Sequence, residues 1–227
     1  MRHEKRESLL VYYAASRLQG LRLPGFSSLP QDVQADILSI WPSYRLARAE
    51  GDQFLFSLGN AEQVQLAARN APVGKIVGES LYVHRSAEDQ LRPLSRLQIF
   101  AARQIVGEQE YELVKLSTDG RKVSFLRYPD FDRVAHPALV SSLLVYLPKA
   151  DYSYQEFSSS DSPPILHRKE LLVDETYPLY EKFASLTRQE EKYSLLSRPD
   201  IGHLKSWERI LAEMAFHIRG HRLLRRK

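Results

Sequence analysis

The sequence predicts an α+β fold, with an N-terminal helical section, a central antiparallel sheet of hairpins and C-terminal helices. Three observations predict it. Apolar residues recur at helical spacing through residues 1–71. An Asp-Gly pair, in Thr118-Asp119-Gly120-Arg121, then separates two β-prone runs at 110–117 and 122–128, a strong hairpin signal. Helical spacing returns with Leu179, Phe183 and Leu186, and again with Leu204, Trp207, Leu211 and Met214. The chain divides into a helical section, 1–71, and an α+β domain with a basic C-terminal tail, 72–227, which also read as one continuous domain.

In order along the chain, residues 9–18 form the first helix. Ser28 and Gln31 have capping-box spacing, and Val33, Ile37, Ile40 and Trp41 give one buried stripe before Pro42 stops the helix. Residues 44–58 make a less regular helix interrupted by Gly51, and Asn60 with Gln63 repeats the start signal before Val64, Ala67 and Ala68. A short strand at 81–84 leads into a helix whose Leu94, Leu97, Ala101 and Ile105 share a face. Runs at 142–147 and 152–157, joined by Pro148-Lys149-Ala150-Asp151, give a second hairpin. Thr187 with Glu190 reads as a cap for a further helical turn toward Tyr193.

Composition closes several chemistries. The 227 residues include no cysteine, which excludes disulfides, thiolate zinc sites, iron–sulfur ligation and a cysteine nucleophile, and fits a cytoplasmic protein. Met1-Arg2-His3-Glu4-Lys5-Arg6-Glu7 alternates in charge and does not resemble a secretory signal. Every apolar run is broken by charge well before about 18 residues, so no membrane span is expected. The ten glycines form no Gly-x-Gly loop after a strand, so neither a dinucleotide crevice nor a P-loop is supported. No Gly-x-Ser-x-Gly elbow or His-Glu-x-x-His motif occurs either. No organic cofactor is expected, and a divalent metal stays open.

The net charge of +4 is unevenly placed, since Arg219, Arg222, Arg225, Arg226 and Lys227 close the chain without an acid among them. Such a tail attracts nucleic acid, and it is equally an ordinary solvated terminus. Pro163-Pro164-Ile165-Leu166-His167-Arg168-Lys169-Glu170 is a rigid extended lead into four ionisable side chains. His167, Arg168 and Lys169 suit a phosphate or carboxylate, while the plainer alternative is a surface turn with Glu170 paired internally. On the strand Leu81-Tyr82-Val83-His84, Tyr82 and His84 share a face, and with Arg85 they suit a stacked base. A single histidine on such a face is more often structural. Tyr128-Pro129-Asp130-Phe131-Asp132 with His136 places two carboxylates and an imidazole where they could bind a divalent ion, against a turn whose Asp130 and Asp132 accept backbone N–H bonds.

Several of these stretches, together with Phe26-Ser27-Ser28-Leu29-Pro30, Pro72-Val73-Gly74-Lys75, residues 81–87, Lys122-Val123-Ser124, residues 128–132, His136-Pro137-Ala138-Leu139, residues 163–170 and 186–191, and Gly220-His221-Arg222, resemble the DNA phosphorothioation-associated methyltransferase family. They run nearly the length of the chain in the family's order. The resemblance is to the half that follows the methyltransferase portion of longer members, and the Gly-rich S-adenosylmethionine loop has no counterpart here. It implies a link to a DNA-modification system, with DNA and a separate methyltransferase as partners and no S-adenosylmethionine bound by this chain. The leading expectation is a nucleic-acid-associated accessory protein using His84, Arg85, His167, Arg168, Lys169 and the cations Arg222, Arg225 and Arg226. A metal-dependent phosphodiester or nucleotide-processing enzyme, using Asp130, Asp132, His136 and Glu170, is one alternative. A subunit whose helical section docks a methyltransferase is the other.

Overall fold

The computed structural model describes residues 2–226. The N-terminal helices are α1 (Arg2–Leu18), α2 (Gln31–Ile40), α3 (Tyr44–Phe56) and α4 (Ala61–Arg69). Leu10, Tyr13, Ile37, Trp41 and Ala47 form one core between the first three. Gly51 is a point of close approach: a Cβ there would lie 2.5 Å from the Cβ of Tyr13. Asn60 caps α4 as its sequence spacing predicts, accepting from the N–H groups of Glu62 and Gln63 at 3.1 Å. The cap expected from Ser28 does not form. Ser28 ends a 3₁₀ turn, and Pro30 occupies the N-cap position of α2, so the helix begins on proline geometry rather than on a side-chain acceptor.

A six-stranded antiparallel sheet follows, in the order β1 (Lys75–Val77), β2 (Ser80–His84), β3 (Leu113–Ser117), β4 (Lys122–Arg127), β5 (Ser141–Tyr146) and β6 (Asp151–Glu156). Helix α5 (Pro93–Val106) is inserted between β2 and β3. The turn after β3 differs from the expected one, because Gly120 alone takes a positive φ. Asp119 instead accepts from the Ser117 hydroxyl at 2.6 Å and from the Arg121 N–H at 3.0 Å, a side-chain-built turn.

Alternation along the strands buries one face of the sheet and part of the other, while β6 is exposed throughout. Leu81, Val83, Val114, Leu116, Val123, Phe125 and Val145 point to one side, against Ala68 of α4 and Ile99 and Ala102 of α5. From the other side, Leu113 and Leu126 meet Tyr128, Phe131, Leu166, Leu172 and Phe183 of the C-terminal half. That half is built by α6 (Tyr180–Lys192), α7 (Leu204–Glu213) and a hairpin of β7 (Phe216–Arg219) and β8 (Arg222–Arg225).

The hairpin corrects the expectation of a basic tail. Gly220 turns the chain at φ 60°, Phe216 and Leu223 are buried, and the Leu223 N–H donates to the Gln189 side chain at 3.0 Å. Arg219 and Arg222 alternate with the buried Phe216 and Leu223 and stay outside, while Arg225, on the face of Leu223, lies over the Tyr193 and Phe216 rings at 5.7 and 5.9 Å. Lys227 lies beyond the described residues. Among the described residues no helix is long and apolar enough to cross a membrane.

Candidate functional site

The prolines at 163 and 164 set the geometry of the site. Lacking N–H groups, they contribute only carbonyls: Pro164 accepts from Leu139 at 2.8 Å on one side, and Pro163 accepts from Leu204 at 3.1 Å on the other. Ile165 and Leu166 supply the donors, to Gly202 at 2.9 Å and Pro137 at 3.2 Å. The extended segment is thus held between residues 137–139 and 202–204, with antiparallel bridges Ala138↔Ile165 and Pro164↔His203. Continuing the first bridge by two residues sets His136 opposite His167, and their rings lie 4.3 Å apart. Trp207 of α7 closes on both imidazoles edge-on, at 4.9 and 4.6 Å.

Helix α6 supplies the acid. Phe183, Leu186, Thr187 and Glu190 fall at i, i+3, i+4 and i+7 and share its buried face. Thr187 and Glu190 therefore lie inside the helix and do not cap a further turn as their spacing suggested. The Thr187 hydroxyl donates to Glu170 at 2.8 Å, and Glu190 Oε1 lies 2.7 Å from His136 Nε2. Both side chains of that pair are nearly inaccessible, at 6% and 1% exposure.

The second nitrogen of each imidazole is committed to backbone. His136 Nδ1 is 2.9 Å from the Leu166 carbonyl, and His167 Nε2 is 2.7 Å from that of Ile201. A carbonyl only accepts, so these two nitrogens carry protons, and the proton on His167 Nε2 leaves its Nδ1 with a lone pair. His167 Nδ1 and Glu190 Oε2 are buried and have no hydrogen-bond partner among the described residues. Burial pushes His167 down to about 3, helped by neighbouring His136, so it is neutral at ordinary pH. His136, His167 and Glu190 bring one donor atom each within 4.8 Å of the others, and the three could hold a metal ion.

Beside this cluster the chain turns sharply at Arg168, whose φ is 55°. Arg168 stays partly outside and pairs with Glu191, while Lys169 and Glu170 enter the interior at 3% and 8% exposure. The Lys169 ammonium donates to the carbonyls of Phe131 at 2.5 Å and Val134 at 2.7 Å, and lies 3.2 Å from His221 Nε2 in the turn of the hairpin. It also sits 4.0 Å from the centroid of the Phe183 ring. Burial pulls Lys169 down to about 7 against the opposing pull of Asp132 and Glu170. His221 is lowered to about 4, by burial first and then by Lys169, so it meets the ammonium as a neutral acceptor.

The residues singled out in the sequence divide accordingly. Arg85, Arg222, Arg225 and Arg226 are exposed. His84 and Lys169 are buried and do not face solvent, which corrects their expected role as nucleic-acid contacts. His84 stacks on Phe131 at 4.4 Å, and Ser86 meets its Nδ1 at 2.8 Å. His167 is half-buried with Nδ1 inaccessible, and Arg168 is engaged by Glu191. His136 joins His167 and Glu190 rather than Asp130 and Asp132, which are two exposed carboxylates. Asp130 faces Arg133 at 3.5 Å, and Asp132 accepts from the Tyr177 hydroxyl at 2.8 Å.

A cleft of about 580 Å³ is lined by His136 and Trp207 together with Arg133, His217 and Arg226. Sequence reading found both histidines but missed Glu190. The available signal was an acid occupying the apolar stripe of a helix, a position that demands a buried partner. Comparison with protein-family models, curated proteins and solved structures returns no match.

Proposed function

We propose that this chain is a nucleic-acid-associated accessory protein of a DNA phosphorothioation or related DNA-modification system, working through its C-terminal half beside a separate methyltransferase. One observation carries the reading. Residues 128–132, 136–139, 163–170, 186–191 and 220–222, all stretches that resemble that family, meet around a single cluster. Phe131 lies against Lys169, His136 against His167 and Glu190, and His221 against Lys169. Stretches distant in sequence serve one place, with exposed Arg222 and Arg225 on the β7–β8 hairpin and exposed Arg226 directly after it.

The supporting physics is electrostatic. Each phosphate neutralised by a cation releases counterions, so affinity falls with salt by a slope of about 0.9 per contact on duplex DNA. The triple change Arg222→Gln, Arg225→Gln and Arg226→Gln should weaken binding to all duplex sequences and flatten the log–log salt slope by up to about 2.7. Fluorescence anisotropy between low and moderate salt measures this. No affinity of the parent chain for single- or double-stranded DNA at low salt would remove direct DNA contact.

A second reading, metal-dependent phosphodiester or nucleotide processing, is favoured by the position of His136 in the lining of a cleft that Arg133 and Arg226 also line. Its residues are then His136, His167 and Glu190.

A further inference from the structure

We propose that His136, His167 and Glu190 bind one divalent transition-metal cation of the Zn²⁺ class, with a water molecule as fourth ligand on the side of the cleft lined by His136 and Trp207. The inference deepens the metal reading and needs neither DNA binding nor catalysis.

Hydrogen bonding alone does not satisfy the cluster. Because His136 Nδ1 donates to Leu166, its Nε2 can meet Glu190 Oε1 at 2.7 Å only if a proton is added, on the imidazole or on the carboxyl. Even then His167 Nδ1 and Glu190 Oε2 stay unpaired in the interior, where unmet polar atoms are rare and costly. One dication takes up His136 Nε2, His167 Nδ1 and a Glu190 oxygen together.

The donor set chooses the class of ion. Two imidazoles and one carboxylate suit zinc and its neighbours, whereas Mg²⁺ and Ca²⁺ favour oxygen donors throughout. Tetrahedral zinc with bonds of about 2.0–2.1 Å separates its ligand atoms by about 3.3 Å, so donors within 4.8 Å of one another, with His136 Nε2 and Glu190 Oε1 at 2.7 Å, reach that spacing by small side-chain shifts: a slight opening of this pair and a closure of the longer separations. The Leu166 and Ile201 carbonyls already provide the outer hydrogen bonds that orient metal-bound histidines. Three protein donors leave one position vacant on a tetrahedral ion, and His136 lines the cleft that leads there.

The 227-residue chain, stripped with EDTA and titrated with Zn²⁺, should bind one equivalent, and Co²⁺ in its place should show the intense visible bands of a tetrahedral ion. His167→Gln and Glu190→Gln should each weaken Zn²⁺ binding by more than about 100-fold, beyond the about 10–100-fold that loss of an outer hydrogen bond costs. Asp130→Asn with Asp132→Asn should bind as the parent does. Circular dichroism checks that the variants are folded. If neither ligand variant folds, the Co²⁺ spectrum of the parent decides, with tetrahedral bands supporting the site and weak octahedral bands or none overturning it. Parent-like affinity in folded His167→Gln, or a parent chain that takes up well under one equivalent, likewise overturns it.

Discussion

His84 carries a pH dependence that its sequence context hides. Its ring is 5% exposed, stacked on Phe131 and met edge-on by Tyr177, and burial lowers it to about 4. The unfolded chain protonates the same residue near 6.5, so between those values the unfolded state binds the extra proton and stability falls as pH falls. From pH 7 to pH 5 this one group should cost about 2 kcal/mol. His84→Phe keeps the stack and cannot titrate, and urea denaturation at the two pH values should show a correspondingly smaller loss. An unchanged difference would place the acid sensitivity elsewhere. The β-strand alternation that placed Tyr82 and His84 on one face was legible in sequence. Whether that face met solvent depended on Phe131 and Tyr177, which come from later in the chain.

Among elements, the strands and helices with regular spacing were readable, and those dominated by charge were not. β7 and β8 are four residues each, and their apolar residues sit among arginines, so the segment read as a tail. What makes it a hairpin is Gly220 at φ 60°, followed by His221 bonding back toward Lys169. A Cβ at Gly220 would meet nothing within 4 Å among the described residues, so a substitution there costs only through its backbone. Gly220→Val should therefore lower stability by about 1–2 kcal/mol, and Gly220→Asn by less, because Asn tolerates the left-handed region. Thermal denaturation of the pair checks the order, and equal losses would mean that the side chain rather than φ decides. The same logic explains why the metal-type cluster was half legible: His136 and His167 stood out in their stretches, but only the bridge Ala138↔Ile165 sets them opposite each other.

At the scale of the molecule, the sheet separates two interiors of different character. On one face lie α4 and α5 with a largely aliphatic core. On the other, the interior contains His136, His167, Lys169, Glu170, Thr187 and Glu190, groups whose burial costs stability unless each finds a partner. These groups tie together residues 163–172, α6 and the β7–β8 hairpin, through Glu190 to His136, Thr187 to Glu170 and His221 to Lys169. α1 to α3 have their own core and share none of these contacts. Disturbing one member should consequently loosen that unit before the whole molecule opens, since local opening follows the boundaries of cooperative units. Glu190→Gln leaves His136 Nε2 facing an amide, with the volume preserved and the charge removed. Hydrogen–deuterium exchange on this variant should rise at residues 163–172, in α6 and in β7–β8, while α1 to α3 exchange as in the parent chain. Uniform acceleration through all helices would instead mean that the sheet transmits the loss and the two interiors unfold as one.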